Sequence, residues 1–190
     1  MSRLWVTGYR SYEFGIFSKS DQKLDVIKYA LKQSLITHLD NGTDWLITGG
    51  QLGVEQWAAQ VGLELKPQYP QLKIAMMLPF AQFGQQWNED NQASLSALVQ
   101  QVDFSDQVSD SDYHSPQQLK NYQAFMLSHT DEALLVYDPE HQGKTEYDLT
   151  AIKVFQEQHP YPMTMIDFDS LQESAEEYFE WLESKKNYKE

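Results

Sequence analysis

Cysteine is absent from the 190 residues, which excludes disulfides, thiolate nucleophiles and Cys-ligated metals. Cationic residues are scarce: 14 Lys plus Arg stand against 28 Asp plus Glu, a net charge of −14. A nucleic-acid partner, which requires a basic face to displace counterions from phosphate, is therefore not expected. A small anionic ligand held in a local basic pocket remains compatible with an acidic shell. No run approaches the ~20 apolar residues of a membrane span, and the opening MSRLWVTGYR leads directly into a strand, without a charged-then-apolar leader. A cytoplasmic protein without membrane insertion is expected.

Several catalytic signatures are also missing. No serine lies in G-x-S-x-G. His38, His114, His129, His141 and His159 are scattered without zinc spacing, and the acidic tract from Asp103 to Ser115 does not match a Ca²⁺ loop; no metal is expected. Gly49-Gly50-Gln51-Leu52-Gly53 departs from G-x-G-x-x-G, and DPEHQGKT at Asp138 to Thr145 has Asp where a P-loop needs its first glycine.

What is present fits one folded domain over residues 1–190, with 41% apolar and 13% aromatic residues. Apolar strand-like runs occupy Arg3 to Gly8, Trp45 to Thr48, Lys73 to Leu78, Asp131 to Asp138 and Met163 to Asp167, with a shorter one at Val102 to Phe104 ahead of a mobile loop. Helical periodicity covers Asp21 to Leu39 with Ser20 as cap, a segment from Gly53 to Leu65, residues 86–100, a helix opened by Ser115 as cap and Pro116 as first residue, Thr145 to Gln158, and a last stretch marked by Leu171, Ala175, Tyr178, Phe179 and Leu182. This alternation predicts an α/β fold: a mostly parallel sheet with helices on both faces, joined by right-handed crossovers. In such folds the ligand sits at the carboxyl ends of the strands.

The centre of the chain is DWLITGGQLGVEQWAAQVGLEL at Asp44 to Leu65. Val54, Trp57, Ala58, Val61 and Leu65 form one apolar stripe of its helix, and Glu55 lies off that stripe in the first turn. A strand that hands over to a helix start through Gly49, Gly50 and Gly53 offers amides and space to an anionic or phosphate-bearing ligand, although a glycine pair also serves a plain tight turn. The same edge receives Thr7, Gly8, Arg10, Pro79, Phe80, Gly143 and Lys144. Arg10 and backbone amides suit phosphate, Phe80 a base or ribose face, and Glu55 a ribose hydroxyl. If the protein is an enzyme, Glu55 is the catalytic acid or base, its pKa raised by desolvation. A pairing of Arg10 with Glu13, and Phe80 as a core residue, are the plainer alternatives.

TGYRSYEFGIF at Thr7 to Phe17, GGQLGVEQWAA at Gly49 to Ala59, YPQLKIAMMLPF at Tyr69 to Phe80, SPQQLKNYQ at Ser115 to Gln123 and LLVYDPEHQG at Leu134 to Gly143 together resemble the YpsA-like family of small bacterial proteins. That family is similar to the SLOG superfamily, which includes DprA and the LOG phosphoribohydrolases. The resemblance implies a Rossmann-like three-layer fold and a nucleotide-derived ligand such as ADP-ribose or NAD at Gly49, Gly50, Gly53 and Glu55, with no cofactor required. It also implies a role in bacterial stress response or cell division. The alternatives are a nucleotide N-glycosidic-bond hydrolase using Glu55 and a protein-binding adaptor; a homo-oligomer or protein partner is compatible with each. Gly143-Lys144-Thr145-Glu146 lacks the glycine pair of the LOG motif PGGxGTxxE, a departure that weighs against phosphoribohydrolase activity.

Overall fold

The structure, a computed structural model, describes residues 1–188. Six parallel strands form one sheet in the order β4-β3-β2-β1-β5-β6: β1 Arg3–Gly8, β2 Trp45–Thr48, β3 Lys73–Leu78, β4 Phe104–Gln107, β5 Glu132–Val136 and β6 Met163–Ile166. Helices α1 Gln22–Asp40, α2 Val54–Leu65, α3 Glu89–Gln101, α4 Gln117–His129, α5 Glu146–Gln156 and α6 Phe168–Asn187 alternate with them. The chain winds outward from β1 to β4, returns through α4, and winds the other way through β5 and β6. That reversal puts a topological switch point between β1 and β5, where doubly wound sheets open a crevice at the carboxyl edge.

Strand alternation divides the core into two layers. Leu4, Val6, Leu46, Ile74, Met76, Leu134 and Val136 point to the face covered by α1, α2 and α3, while Trp5, Ile47, Ala75, Met77, Ala133, Leu135 and Tyr137 point to the face covered by α4 and α5. Burial on both faces explains why the inner strands read as continuous apolar runs. The outermost helix, α6, packs on α1 and has no fully buried residue; its apolar stripe is half-covered.

Several local expectations are corrected. Asp21, not Ser20, caps α1, accepting from the Lys23 N–H. Asn88 caps α3, accepting from the Asn91 N–H, so the helix starts later than residue 86. β4 begins at Phe104, two residues later than expected, because the Asp103 carboxylate turns back to accept the Ile74 N–H at 2.8 Å and to meet Lys66. Ser115 does not cap α4. The buried Gln118 side chain accepts from the His114 and Ser115 N–H groups and donates to Ser109 Oγ and Asp112 O. That same side chain ties down the segment expected to be a mobile loop.

Candidate functional site

The loop after β1 and the loop after β5 are locked together. The buried Tyr9 hydroxyl accepts the Asp138 N–H at 3.0 Å and donates to His141 O at 2.6 Å. Glu13 sits in a short 3-10 turn, Ser11–Phe14. Its carboxylate spans both loops, accepting the Arg10 N–H at 2.8 Å and the Lys144 N–H at 3.0 Å. The loop after β2 joins this frame: the Ser11 N–H donates to Leu52 O and the Val54 N–H to Tyr9 O, so that Arg10 and Gly53 face each other as an antiparallel bridge.

Each glycine of the central loop makes room for the protein's own groups. Gly53 has φ +123°, and a Cβ there would lie 2.5 Å from Tyr9 O and 2.6 Å from Ser11 N. A Cβ on Gly50 would meet Leu78 and Leu95. At Gly49 the space is filled by the Glu55 carboxylate and the Tyr122 hydroxyl. Two amides of this turn are also engaged internally, Val54 N–H with Tyr9 O and Gln51 N–H with Glu55 Oε2 at 3.2 Å.

Above Gly49 the two faces of the sheet meet. Glu55, 4% exposed, comes from α2 on one face. Tyr122 and Gln123 come from α4 and Asp148 from α5 on the other. Asp148 accepts from Thr7 Oγ1 at 3.0 Å and from Gln123 Nε2 at 2.9 Å. Arg10 is the cation of this group, and its Nη1 donates to Gly8 O at 3.2 Å. Burial pushes Glu55 up to about 7, the Arg10 guanidinium opposing the shift and Asp148 adding to it. Burial likewise raises Asp148, against the hydrogen bond from Gln123, the charge of Arg10 and the hydrogen bond from Thr7. The Tyr122 phenol is pushed well above its ordinary range by burial and then by Glu55 and Asp148. Its hydroxyl is buried without a partner, as is that of Thr145, three residues before Asp148. The assembly is thus a proton-holding carboxyl, a pinned carboxyl, a free phenol and one guanidinium at the carboxyl edge.

The sequence has counterparts among known proteins. Residues 4–171 match the model of the YpsA family, described as the YspA SLOG family. The chain belongs to this family. It is similar to the UPF0398 protein of Levilactobacillus brevis, 65% identical over 95% of each chain, and to those of Lactiplantibacillus plantarum, at 61% over 95% of each, and Latilactobacillus sakei, at 59% over 95% of this chain and 97% of the relative.

Within this member of the YpsA family, Thr7, Gly8, Arg10, Gly49, Gly53 and Glu55 come together around one edge. Gly143 and Lys144 join that frame through Glu13, Lys144 by its backbone amide with its side chain exposed. Gly8 packs against Val54 and Val136 O. Pro79 is buried, and Phe80 belongs to a half-exposed aromatic group with Phe83 at 5.4 Å and Tyr113 at 5.2 Å, which reaches the loop through the contact of Phe83 with Gly50. Sequence reasoning passed over Tyr122, Gln123 and Asp148. A signal existed: Gln118, Tyr122 and Met126 are spaced i, i+4, i+8 and all buried, and Asp148 precedes the inward Ile152 by four. An apolar groove of about 370 Å³ lies elsewhere, between α1 and α6, lined by Phe14, Val26, Ile27, Phe168, Leu171 and Phe179 among others. No helix among the described residues is long and apolar enough to cross a membrane, and no cluster of three or more His, Asp or Glu among them could hold a metal.

Proposed function

We propose that the protein binds, in the cytoplasm, a nucleotide-derived small ligand of the ADP-ribose or NAD type at the carboxyl edge of β1, β2 and β5. The observation that carries this reading is the meeting, at the switch point, of the buried Glu55 with the half-buried Asp148 and Arg10 and an unpartnered Tyr122 hydroxyl. Apolar packing would be cheaper there, and a buried hydroxyl without a partner is retained at a cost of ~1–3 kcal/mol. Membership of a SLOG family supports a nucleotide-related ligand. A role in stress response or cell division rests on the family resemblance alone.

A thermal-shift screen with NAD, ADP-ribose, AMP and sugar phosphates tests the reading. A ligand at 100 times its Kd adds ~2.7 kcal/mol of stability, and Glu55→Gln is expected to reduce that shift. Absence of a shift with any of these compounds refutes the proposal.

A second reading is favoured by one observation. Glu55, held near pH 7 beside a second carboxyl, is suited to general acid–base work on an N-glycosidic bond. It predicts release of the base from nucleoside monophosphates or NAD, abolished in Glu55→Gln, whereas a sensor returns its ligand intact.

A further inference from the structure

The ligand-binding reading leaves open which part of a nucleotide derivative meets the floor above Gly49. The chemistry of that floor is selective. Two carboxyls, Glu55 and Asp148, share a single guanidinium, so a phosphate dianion placed among them would meet at least as many negative groups as positive ones, whether or not Glu55 holds its proton. Carboxylate oxygens are acceptors and suit hydroxyl donors. Asp148 is pinned on both oxygens by Thr7 Oγ1 and Gln123 Nε2, which fixes its orientation while each oxygen keeps a further lone pair.

The second, independent observation is Tyr122. It is 8% exposed, its hydroxyl has no partner, and it points at the same spot above Gly49 as Glu55 Oε1. A phenol donates one hydrogen bond and accepts others. The Glu55 carboxyl, which with its proton both donates and accepts, and the donor–acceptor Tyr122 hydroxyl converge over a residue without a side chain, and with the acceptor oxygens of Asp148 they match a vicinal diol.

We propose that Tyr122, Asp148 and Glu55 form a sugar subsite that reads the cis-diol of a ribose and thereby selects ribonucleotide-derived ligands over their 2-deoxy counterparts. Tyr122 and Asp148 are its specificity-determining residues. The subsite leaves the phosphate groups to the Arg10 side of the edge.

The proposal rests on the ligand-binding reading above, and the experiment separates the two. Calorimetric titrations of wild type, Tyr122→Phe and Asp148→Asn use ADP-ribose and its two analogues lacking the 2-hydroxyl on one ribose or the other. In wild type one analogue is expected to bind about tenfold more weakly than ADP-ribose, the worth of one hydrogen bond to a charged group at its lower end. That penalty should vanish in both variants, whose ADP-ribose affinity falls to match. The unliganded melting temperature of Tyr122→Phe should stay level or rise, since the lost hydroxyl has no partner in the free protein. A residue of purely structural importance would instead lower it. Equal wild-type affinity for all three compounds, or a penalty that persists in both variants, overturns the subsite while the binding reading stands. Failure of ADP-ribose to bind wild type removes both.

Discussion

Replacing Glu55 by Gln should change how stability depends on pH. Glu55 is 4% exposed and its carboxyl is pushed from an ordinary value of 4.5 to about 7, chiefly by burial. Below pH 4.5 the carboxyl is protonated in both the folded and the unfolded chain, and burial carries no ionisation penalty. Between 4.5 and about 7 the unfolded chain ionises while the folded one keeps its proton. The unfolded state then binds fewer protons, and stability falls as pH rises. Above about 7 both states are ionised and the loss is complete. At about 1.4 kcal/mol per pH unit of separation, the full loss is about 3 kcal/mol. Gln has the same shape and no titration, so urea unfolding of the two proteins from pH 4 to pH 8 isolates the effect. The stability of Glu55→Gln relative to wild type should climb by about 3 kcal/mol across that range, levelling near pH 8. The comparison cancels the groups that do not interact with Glu55; Asp148, coupled to it, adds to the difference. A difference that stays flat from pH 4 to pH 8 refutes the reading of Glu55 as a buried acid holding its proton near neutrality.

Gly53→Val should destabilise by ~3 kcal/mol or more, combining left-handed strain of ~1–3 kcal/mol with a Cβ driven into Tyr9 O at 2.5 Å; a urea midpoint equal to that of wild type would exclude the proposed bridge. Asp103→Asn should weaken the edge pairing of β4. The Asp103 carboxyl is lowered by Lys66, the Ile74 N–H and Lys73, which together outweigh the opposing burial. Its contribution is therefore present above the ordinary carboxylate range and lost as pH falls through its lowered folded value. Wild type should lose its advantage over Asp103→Asn on acidification in urea melts, and an advantage that survives at pH 2 would contradict the assignment.

The sheet was legible in the chain to the extent that its strands are buried on both faces. β1, β2 and β3 occupy the expected residues because Leu4 to Val6, Leu46 to Thr48 and Ile74 to Met77 are buried runs without a solvent side. β4 was displaced because Phe104–Gln107 is an edge strand with no buried residue, and its start is set by the contact of Asp103 with Ile74 of the neighbouring β3, far away in sequence. The last turns of the site were hidden for a related reason. Glu55 was legible locally, as the residue off the apolar stripe of α2. Tyr122 and Asp148 become partners of Glu55 only when α4 returns across the sheet and the chain reverses direction, an arrangement that depends on strand order. The glycines were legible only in part. A sequence shows that a Cβ is missing but not what occupies its place, and at positions 49, 50 and 53 the occupants are Glu55 with Tyr122, Leu78 with Leu95, and the Tyr9–Ser11 backbone.

Rigidity and lack of satisfaction are distributed unevenly over this molecule, and the distribution itself argues for a site. The loops at the edge are over-determined: Tyr9 bonds to two residues of the loop after β5, Glu13 ties two loops, and Gly53 closes a third onto them. Inside that frame the bonding is deficient. Among the described residues three buried side-chain atoms lack a partner, and two of them are the hydroxyls of Tyr122, on α4, and of Thr145, at the N-cap of the helix that carries Asp148. Folding alone favours the reverse, with satisfied groups buried and mobile ones at the loops. A stiff frame around under-bonded polar groups means that a ligand would find its partners already oriented, so that little of its binding energy would go into ordering the protein. The same arrangement explains why Tyr122→Phe should cost affinity without costing stability, a separation that a group retained for the fold would not show.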